Sequence, residues 1–584
     1  MNVDELRAAA LAWIEQDPDY ESQQELRRIL EEDPLPADLA DRFAGALEFG
    51  TAGLRGVLGA GPNRMNRAVV IRTSHGLADV LLATFPDAQT RGVVIGYDGR
   101  KLSRELAEDT ACVLAARGIL SRLFTVCGPT PLTAFASAKL GAVAAIMVTA
   151  SHNPPEYNGF KVYWSNGAQI IPPIDAEIAA RIAAAPGAKA VPRLDLHDAR
   201  HDGLVVDVSH GVERAYLDAI AKLSVVEGGY RAMPIVYTPL HGVGNRLARA
   251  AFAEAGFTQV TSVPEQENPD GHFPTVTFPN PEEKGAMDLA FALGREKKAE
   301  LVIANDPDAD RLAVAVHDDA LPQGFRQLTG NQVGVLLGHH LLTRGPADDG
   351  DKRLVVASIV SSPMLGAIAR ALGVRYEETL TGFKWITNRA MDLERDEGLR
   401  FVFGYEEALG YTVGTVVRDK DGISAAIAFA ELAADLRGQG KTVAGRLEEL
   451  YRTYGLWVSS QVNVTRKGQQ GAAELRAMMD GLRQRSIDSI GTLKVTAISD
   501  FEASERRASG AVTKLALPKT NMIAFELEGG SRIIARPSGT EPKAKFYFDV
   551  CEPIVEGEAF AGALARAQQK STALEAAFQA LAGV

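Results

Sequence analysis

One arrangement of residues occurs four times along this 584-residue chain: an apolar run, a polar loop dense in functional side chains, and a second extended run. The four loops contain, in chain order, Ser151, Asn305, Gly404 and Arg536. The apolar runs are typical of buried strands, and alanine-rich amphipathic stretches between the loops, such as 363–372 and 425–436, are typical of helices. Alternating strands and helices predict an α/β fold, and loops spaced by about one domain of roughly 150 residues suggest one site assembled from four domains.

The first loop carries Ser151 between two predicted strands, 142–148 and 160–164. The serine therefore lies at a strand end, in a loop whose two consecutive prolines restrict the backbone. His152 and Lys161 are close enough in sequence to supply a positive charge or to transfer a proton. The local sequence leaves two possibilities open, because the serine could hold a phosphoryl group or could bond only to its own loop.

The second loop has the clearest chemistry, because Asp306, Asp308 and Asp310 are spaced by two. In an extended segment their carboxylates would point to one side, and three hard oxygen ligands suit a divalent cation such as Mg²⁺. An EF-hand is excluded, because its sixth position needs glycine where this chain has Arg311 and its twelfth needs glutamate where it has His317. A solvated acidic turn is the alternative. Three protein ligands would leave coordination positions open for a phosphate oxygen.

The fourth loop predicts a phosphate cradle. It combines a bidentate cation, two hydroxyls, a glycine and a point charge, supplied by Arg536, Ser538, Gly539, Thr540 and Lys543. The P-loop motif is absent, and an ordinary Pro-Ser-Gly turn is the alternative.

The third loop places Glu406 and Glu407 between glycines. Carboxylates of this kind can accept hydrogen bonds from sugar hydroxyls, although the pair taken alone fits a solvated acidic turn better. Two further stretches, 379–384 and 418–422, each offer a cation beside a turn and fit the same site.

Composition narrows the class of protein. A net charge of −12 argues against a nucleic-acid binder, and the three cysteines lie far apart without metal-ligand spacing, which favours a reducing compartment. Residues 1–30 are predicted to form an amphipathic helix with acidic residues rather than a signal peptide. No apolar run approaches the ~20 residues of a membrane helix. We therefore expect a cytoplasmic, soluble protein.

The order and spacing of the four loops resemble those of the α-D-phosphohexomutase superfamily, which covers phosphoglucomutases and phosphomannomutases. The segment 49–56, Phe-Gly-Thr-Ala-Gly-Leu-Arg-Gly, adds a further likeness, which runs from there to the C-terminus. The resemblance implies an α/β fold of four domains around a central cleft, three related mixed α/β domains and a smaller C-terminal α+β domain. We expect an N-terminal helical extension and domains with phosphoserine, metal-binding, sugar-binding and phosphate-binding loops, at 1–48, 49–220, 221–328, 329–456 and 457–584.

The resemblance also implies catalytic roles. Ser151 would be phosphorylated in the active enzyme, and Arg55 would face the phosphoserine. The residues that would hold Mg²⁺ are Ser151, through its phosphate, and Asp306, Asp308 and Asp310. Lys161 and His152 are the candidates for proton transfer, with Lys161 preferred.

The remaining matched residues would bind the sugar phosphate. Those expected to contact the sugar or to orient the transferring group are Arg311, Thr381, Gly382, Glu406, Glu407 and Lys420. Those expected to hold the non-reacting phosphate are Arg536, Ser538, Gly539, Thr540 and Lys543. A fixed cradle beside a sugar loop that tolerates two orientations would let a sugar bisphosphate turn over at one site.

These roles predict an isomerase of the phosphoglucomutase/phosphomannomutase type that interconverts the 1-phosphate and 6-phosphate of a hexose, with glucose as the first choice. Its cofactors would be Mg²⁺ and a sugar 1,6-bisphosphate activator; its partner would be a phosphorylated sugar, without nucleic acid or membrane. Ala408 stands where hexose-specific members commonly carry serine, and the loop resembles the subgroup that includes phosphopentomutase-like enzymes, so mannose and ribose phosphates stay open. A metal-dependent sugar phosphatase and a non-catalytic sugar-phosphate sensor are alternatives from other classes.

Overall fold

The computed structural model of the protein describes residues 1–50, 53–346, 350–466, 468–537 and 543–584. The chain divides into two compact units. The first comprises Met1–Leu328, Gly382–Met391 and Leu409–Asp435. The second comprises Thr329–Thr381, Asp392–Ala408 and Leu436–Val584. In the part of the chain that the structure describes, no helix combines the length and the apolar character needed to cross a bilayer.

The N-terminal segment forms three helices: α1 (Val3–Gln16), α2 (Tyr20–Glu31) and α3 (Ala37–Arg42). The expectation of one helix over 1–30 is wrong, because α1 ends before Pro18, and the residue that precedes a proline is disfavoured in the helical region. Asp17 occupies the break and accepts hydrogen bonds from Trp13 Nε1 and Ser22 Oγ. The two helices are thereby tied together at the break.

The first sheet of the first unit has seven strands in the order β1-β2-β6-β5-β3-β4-β7. Its strands are β1 (Phe49–Gly50), β2 (Gly53–Val57), β3 (Val93–Tyr97), β4 (Ser121–Leu123), β5 (Ala144–Val148), β6 (Tyr157–Trp164) and β7 (Val205–Asp207). The associated helices are α4 (Arg67–Thr84), α5 (Ala88–Arg91), α6 (Ser103–Ala116), α7 (Thr130–Leu140), α8 (Ile174–Ala184), α9 (Leu196–His201) and α10 (His210–Ala221). The strand β3 is parallel to β4 and β5, and the fully buried Ile95 and Ile146 are typical of a parallel sheet covered by helices.

The second sheet of the first unit has five strands in the order β12-β11-β10-β8-β9. They are β8 (Ile235–Thr238), β9 (Val260–Ser262), β10 (Leu301–Ala304), β11 (Ala313–His317) and β12 (Phe325–Gln327), with helices α11 (Asn245–Glu254) and α12 (Asp288–Lys297). The central β10 is parallel to β8 and antiparallel to β11. The first unit also includes β16 (Gly410–Val413) and most of two helices from later in the chain, α15 (Phe383–Glu397) and α16 (Gly422–Gly438).

The second unit begins with three mutually parallel strands in the order β14-β13-β15. They and their helices are α13 (Gly330–Arg344), β13 (Arg353–Ser358), α14 (Met364–Ala371), β14 (Arg375–Thr379), β15 (Arg400–Glu406) and α17 (Val443–Tyr454). The unit thus starts as a further α/β domain.

The C-terminal part of the second unit is a largely antiparallel sheet in the order β17-β24-β23-β22-β19-β20-β21, with β18 paired to β19. Its strands are β17 (Leu456–Thr465), β18 (Ser489–Ile490), β19 (Leu493–Asp500), β20 (Glu505–Ala508), β21 (Ala511–Lys514), β22 (Ile523–Leu527), β23 (Arg532–Pro537) and β24 (Lys543–Glu552). Two helices accompany it, α18 (Gly468–Gln484) and α19 (Phe560–Ala582). The predicted combination of three α/β domains and a sheet-rich C-terminal domain is confirmed.

Candidate active site

Ser151 lies in the loop that follows β5, in a conformation that fixes its hydroxyl. Its φ of 52° is in the left-handed region, which residues other than glycine rarely adopt. The Ser151 amide donates to Thr149 Oγ1 at 2.8 Å, and the Ser151 Oγ donates to Asp306 Oδ2 at 2.7 Å. Because the residue is only 3% exposed, the hydroxyl is held against a carboxylate rather than in water.

The carboxylate cluster, defined as Asp306, Asp308 and Asp310, follows β10. All three side chains are fully buried, and one ligand oxygen from each lies within 4.8 Å of the others. The prediction that these residues lie in an extended segment is wrong, because the loop turns at Ala309, whose φ is 56°. The carboxylates converge through this turn rather than through strand-like alternation.

Lysines neutralise one edge of the carboxylate cluster. Lys161 Nζ donates to Oδ2 of Asp308 and to Oδ2 of Asp310, each at 2.9 Å. Lys420 Nζ lies 3.3 Å from Asp310 Oδ2, and Thr130 Oγ1 donates to Asp308 Oδ2 at 2.7 Å. The Oδ1 atoms of both aspartates are buried and have no hydrogen-bond partner among the described residues. Unsatisfied buried carboxylate oxygens are costly, so this donor set fits a hard divalent cation.

Charges in the cluster shift its proton affinities in opposite directions. Burial raises the pKa of Asp306 well above its usual range, and the carboxylates of Asp308 and Asp310 raise it further. Burial acts in the same direction on Asp310, but the cations Lys161 and Lys420 outweigh it and lower the pKa. Burial alone would lower the pKa of Lys161, yet its two carboxylate partners raise it, so the ammonium stays charged at neutral pH.

His152 is the other proton-transfer candidate. Its Nδ1 lies 3.3 Å from Ser151 Oγ. Burial, followed by the nearby cations Arg311 and Arg55, lowers its pKa well below the usual range. The ring is therefore neutral at neutral pH and has a nitrogen lone pair, whereas Lys161 is protonated. The choice between the two residues stays a prediction.

Two arginines place positive charge beside the serine loop. Arg55 lies on β2 opposite Gly159, and its Nη1 donates to Asn153 Oδ1 at 2.9 Å. Burial lowers the pKa of Arg55 to about 10, which still leaves it charged at neutral pH. The Nε of Arg311 lies 3.8 Å from Asp306 Oδ2. Both cations are positioned to balance a bound anion.

Arg100 is a functional candidate that the sequence interpretation missed. Its guanidinium donates to four backbone oxygens of the serine loop, those of Ser151, Asn153, Pro154 and Tyr157. The carboxylate of Asp98 lies 3.4 Å from Arg100 Nε, and the ring of Phe273 lies 4.8 Å from the guanidinium carbon. The arginine follows β3, so the strand-then-polar-loop pattern could have indicated it.

Glu406 and Glu407 belong to the second unit. Glu406 is the last residue of β15, so it is a strand residue rather than the loop residue that was expected. The Glu407 amide donates to Ser361 Oγ at 3.1 Å, and its Oε2 accepts from Ser358 Oγ at 3.3 Å. The turn that follows β13 therefore holds this glutamate.

Part of the predicted phosphate cradle lies on two paired strands of the second unit. Arg536 is on β23, opposite Lys545 of β24, and Lys543 is the first residue of β24. Burial raises the pKa of Tyr547, with Glu407 adding to the effect and Arg536 opposing it, so both charges act on this ring. The cradle residues outside the described part of the chain are Ser538, Gly539 and Thr540.

Thr381 and Gly382 lie between β14 and α15. The Thr381 Oγ1 is buried and has no hydrogen-bond partner within the described part of the chain. Gly382 has a φ of 118°, which side chains rarely tolerate. A buried hydroxyl without a partner beside a glycine turn leaves a hydrogen bond available to a ligand.

The structure groups most predicted site residues within the two units. The first unit brings together Ser151, His152, Lys161, Arg55, Arg311, Lys420, Asp306, Asp308 and Asp310; Gly382 also belongs to this unit. The second unit contains Thr381, Glu406, Glu407, Arg536 and Lys543.

Family models and similar proteins agree with this architecture. Three models described as phosphoglucomutase/phosphomannomutase alpha/beta/alpha domains I, II and III match residues 46–188, 214–319 and 329–454. A protein from Haemophilus influenzae named probable phosphomannomutase is 42% identical, covering 83% of this chain and 93% of its own. The Homo sapiens protein named phosphopentomutase is 36% identical, covering 93% of this chain and 90% of its own.

Structural similarity extends over nearly the whole chain. The crystal structure of a phosphoglucomutase/phosphomannomutase family protein from Burkholderia thailandensis has a TM-score of 0.64 at 20% identity, covering 92% of this chain and 98% of its own. Fold and family models define a multidomain α/β mutase. The chain belongs to the α-D-phosphohexomutase superfamily of phosphoglucomutases and phosphomannomutases, with phosphopentomutase-like relatives.

Proposed function

We propose that the protein is a phosphosugar mutase that interconverts the 1-phosphate and 6-phosphate of a hexose, with glucose as the preferred sugar. The supporting observation is the placement of Ser151, whose hydroxyl lies 2.7 Å from Asp306 Oδ2 at the edge of the carboxylate cluster. A hydroxyl fixed beside a cation site is suited to receive a phosphoryl group and to donate it again. Membership of a mutase family supports the same reaction.

Ser151 would carry the phosphoryl group between two half-reactions. A hydroxyl oxygen of the sugar monophosphate attacks the phosphorus of phosphoserine, and the bond between phosphorus and Ser151 Oγ breaks. The sugar hydroxyl proton passes to a base. Of the two candidates, His152 is neutral and can accept it, whereas Lys161 would first have to lose a proton. The resulting bisphosphate turns over and returns its other phosphoryl group to Ser151.

The charged groups around Ser151 would stabilise the transferring group. The residues proposed to hold Mg²⁺ are Asp306, Asp308 and Asp310, together with the phosphate on Ser151. Mg²⁺ supplies positive charge that neutralises the phosphoryl oxygens when it is bound. Arg55 and Arg311 would add positive charge from the protein side, so that catalysis depends mainly on positioning and electrostatics.

The substrate would be held at both ends. We assign contacts with the sugar to Thr381, Gly382, Glu406, Glu407 and Lys420. We assign the non-reacting phosphate to Arg536, Ser538, Gly539, Thr540 and Lys543. The corresponding domain division is a helical extension and four domains at 1–48, 49–220, 221–328, 329–456 and 457–584. A sugar 1,6-bisphosphate would prime Ser151 by phosphorylating it.

We place the protein in the cytoplasm. The described cysteines have free thiols, which is compatible with a reducing compartment.

Interconversion of ribose 1-phosphate and 5-phosphate is the second candidate function. It is favoured by the similarity to the human phosphopentomutase over 93% of this chain and by Ala408 in the sugar loop. Mannose is the other hexose to compare, because the Haemophilus influenzae relative is named for it. Coupled assays with glucose, mannose and ribose 1-phosphates, run side by side, would rank the three sugars.

Replacement of Ser151 tests the proposed reaction directly. Ser151→Ala should lower mutase turnover by about 10³-fold or more, because the phosphoryl acceptor is removed. Intact-mass analysis after incubation with glucose 1,6-bisphosphate should show one phosphate on the wild type and none on the variant. Ser74→Ala is a matched control, because Ser74 is a buried serine whose hydroxyl donates to Thr110 Oγ1 at 3.1 Å, away from the serine loop. Unchanged turnover in Ser151→Ala, or release of free phosphate instead of isomer by the wild type, would contradict the proposal.

A further inference from the structure

Strand β23 carries two arginines on one side of the C-terminal sheet. Arg532 and Arg536 are four residues apart in an extended strand, so their side chains share a face and their Cα atoms are about 13 Å apart. Their partners across the strand pair are Asp549 and Lys545 of β24. The strand thus sets a fixed spacing between Arg532 and Arg536.

Arg532 connects this sheet to the preceding α/β domain of the same unit. Its Nε donates to Asp549 Oδ2 at 2.7 Å, its Nη1 donates to Glu378 Oε1 at 3.4 Å, and its Nη2 donates to the Ser361 carbonyl oxygen. The side chain is 13% exposed. Burial alone would lower the pKa of Arg532, but Asp549 and Glu378 raise it, so the guanidinium stays charged. The planar guanidinium thus donates to three partners at once, one on the C-terminal sheet and two on the preceding α/β domain.

The contact at Ser361 continues to the sugar loop. Ser361 Oγ accepts from the Glu407 amide at 3.1 Å and lies 2.8 Å from Ser358 Oγ. Ser358 Oγ in turn donates to Glu407 Oε2 at 3.3 Å. Arg532 and Glu407 therefore contact the same residue, Ser361, the first through its carbonyl oxygen and the second through its hydroxyl.

We propose that Arg532 is a positioning residue that sets the distance between Arg536 and the pair Glu406 and Glu407. This proposal rests on the proposed function, which assigns the phosphate to Arg536 and the sugar hydroxyls to the two glutamates. A sugar phosphate has a fixed length, so a grip at both ends needs a fixed separation. The contacts of Arg532 are with Asp549, Glu378 and Ser361 of its own unit, so its replacement is expected to affect the hold on the substrate rather than the phosphoryl group on Ser151.

Arg532→Gln is expected to raise the KM for glucose 1-phosphate about tenfold, equivalent to about 1.4 kcal/mol. Phosphorylation of Ser151 by saturating glucose 1,6-bisphosphate should reach the wild-type level, and more bisphosphate should escape per turnover. Arg532→Lys should give a smaller increase in KM, because lysine can keep the pair with Asp549 but lacks the planar fork. Arg506→Gln is the matched control, because Arg506 pairs with Glu526 on the surface of the same sheet.

Ser361→Ala keeps the proposal testable if the Arg532 variants fail to fold, because it removes a single hydroxyl, which contacts the Glu407 amide and Ser358 Oγ. It should raise KM by about two- to fivefold, the effect of losing the hydrogen bond that holds the Glu407 amide. An unchanged KM in Ser361→Ala, or in a folded Arg532 variant, would overturn the proposal. A fall in kcat at unchanged KM would also overturn it.

Calorimetric binding of glucose 1-phosphate to Ser151→Ala protein separates this proposal from the proposed function. The proposed function fails if the wild type isomerises none of the tested sugars. Even then, weaker binding of glucose 1-phosphate to the Ser151→Ala, Arg532→Gln double variant than to Ser151→Ala would support the positioning role. Equal binding with and without Arg532→Gln would reject the positioning role while leaving a mutase function intact. No binding at all would reject both.

Discussion

At the residue scale, the two oxygen atoms of a carboxylate in the carboxylate cluster have different surroundings. Lys161 contacts Oδ2 of both Asp308 and Asp310, and the Oδ1 atoms of the same side chains remain without hydrogen bonds within the described chain. A buried ammonium reduces repulsion among three close acids, which would otherwise favour protonation of more than one of them. Lys161 thus neutralises the Oδ2 atoms, while the Oδ1 atoms of the same two aspartates are available to a cation.

Arg100→Lys should lower kcat by about 10- to 100-fold and change the KM for the sugar phosphate by less than about twofold. Lysine preserves a positive charge beside Asp98, but it cannot donate simultaneously to the four carbonyl oxygens that Arg100 holds. Ser151 would then lose its fixed orientation. Steady-state kinetics and the rate of Ser151 phosphorylation, followed by intact mass, would measure the effect.

Arg67→Lys provides the control for that measurement. Arg67 also makes a bidentate contact, to Asp109 at 2.7 and 2.9 Å, but on helices rather than on the serine loop. A similar loss of kcat in both variants would indicate a general stability effect. Wild-type kcat in Arg100→Lys would rule out the positioning role of Arg100.

At the element scale, the strands that lead into the site were largely predictable from apolar runs. The strand β10 has the predicted bounds, Leu301–Ala304. The strand β6 begins at Tyr157 rather than at the predicted 160, because pairing with β2 extends it through residues that are not apolar. Hydrophobic pattern therefore predicts the buried centre of a strand better than its ends.

Contacts between distant parts of the chain were not predictable in this way. The turn at Ala309 has no glycine to indicate its left-handed backbone. The contact from Arg532 to Ser361 joins residues 171 positions apart, and nothing in either local sequence encodes that pairing. The position of Arg100 after a strand could have been noted in the sequence, but its bonds to carbonyl oxygens more than 50 residues away could not.

Helix α13 should make folding stability depend on pH through His339. Burial, followed by the cation Arg446, lowers the pKa of His339 to about 4, whereas an unfolded histidine has a pKa of about 6.5. Between these values the unfolded chain binds a proton that the folded chain does not. Stability should therefore fall as pH is lowered from 7 to 5, by at most about 2 kcal/mol from this residue. Denaturant unfolding at the two pH values would measure this.

His339→Gln should remove most of that pH dependence, because glutamine does not titrate. His201→Gln is the control, since the side chain of His201 is 81% exposed and its substitution should leave the dependence unchanged. An equal loss of stability between pH 7 and pH 5 in wild type and His339→Gln would refute the assignment.

On the scale of the whole molecule, the order of the four loops predicted the fold class because each loop marks a strand end in a separate domain. Loop composition could not predict the preferred sugar. Under the proposed function, that preference would depend on the separation of Arg536 from Glu406 and Glu407, which we propose is set by strand pairing and by the Arg532 contacts. On that proposal, sugar preference would follow from how the strands and loops of the second unit are assembled rather than from any one motif.

Cation binding should also stabilise the folded protein as a whole, because the carboxylate cluster exists only when the loop after β10 is folded. Binding to the folded state alone adds about 2.7 kcal/mol at a cation concentration of 100 times Kd. Mg²⁺ should therefore raise the Tm of EDTA-treated wild type by a few degrees. Asp308→Asn should abolish most of this increase. Because it also removes a buried ion pair with Lys161, it should lower the Tm in EDTA, so the quantity to compare is the change in Tm on addition of Mg²⁺. Asp198→Asn, at an exposed acidic group, is the control. An equal Tm increase in wild type and Asp308→Asn would show that the stabilising cation binds elsewhere.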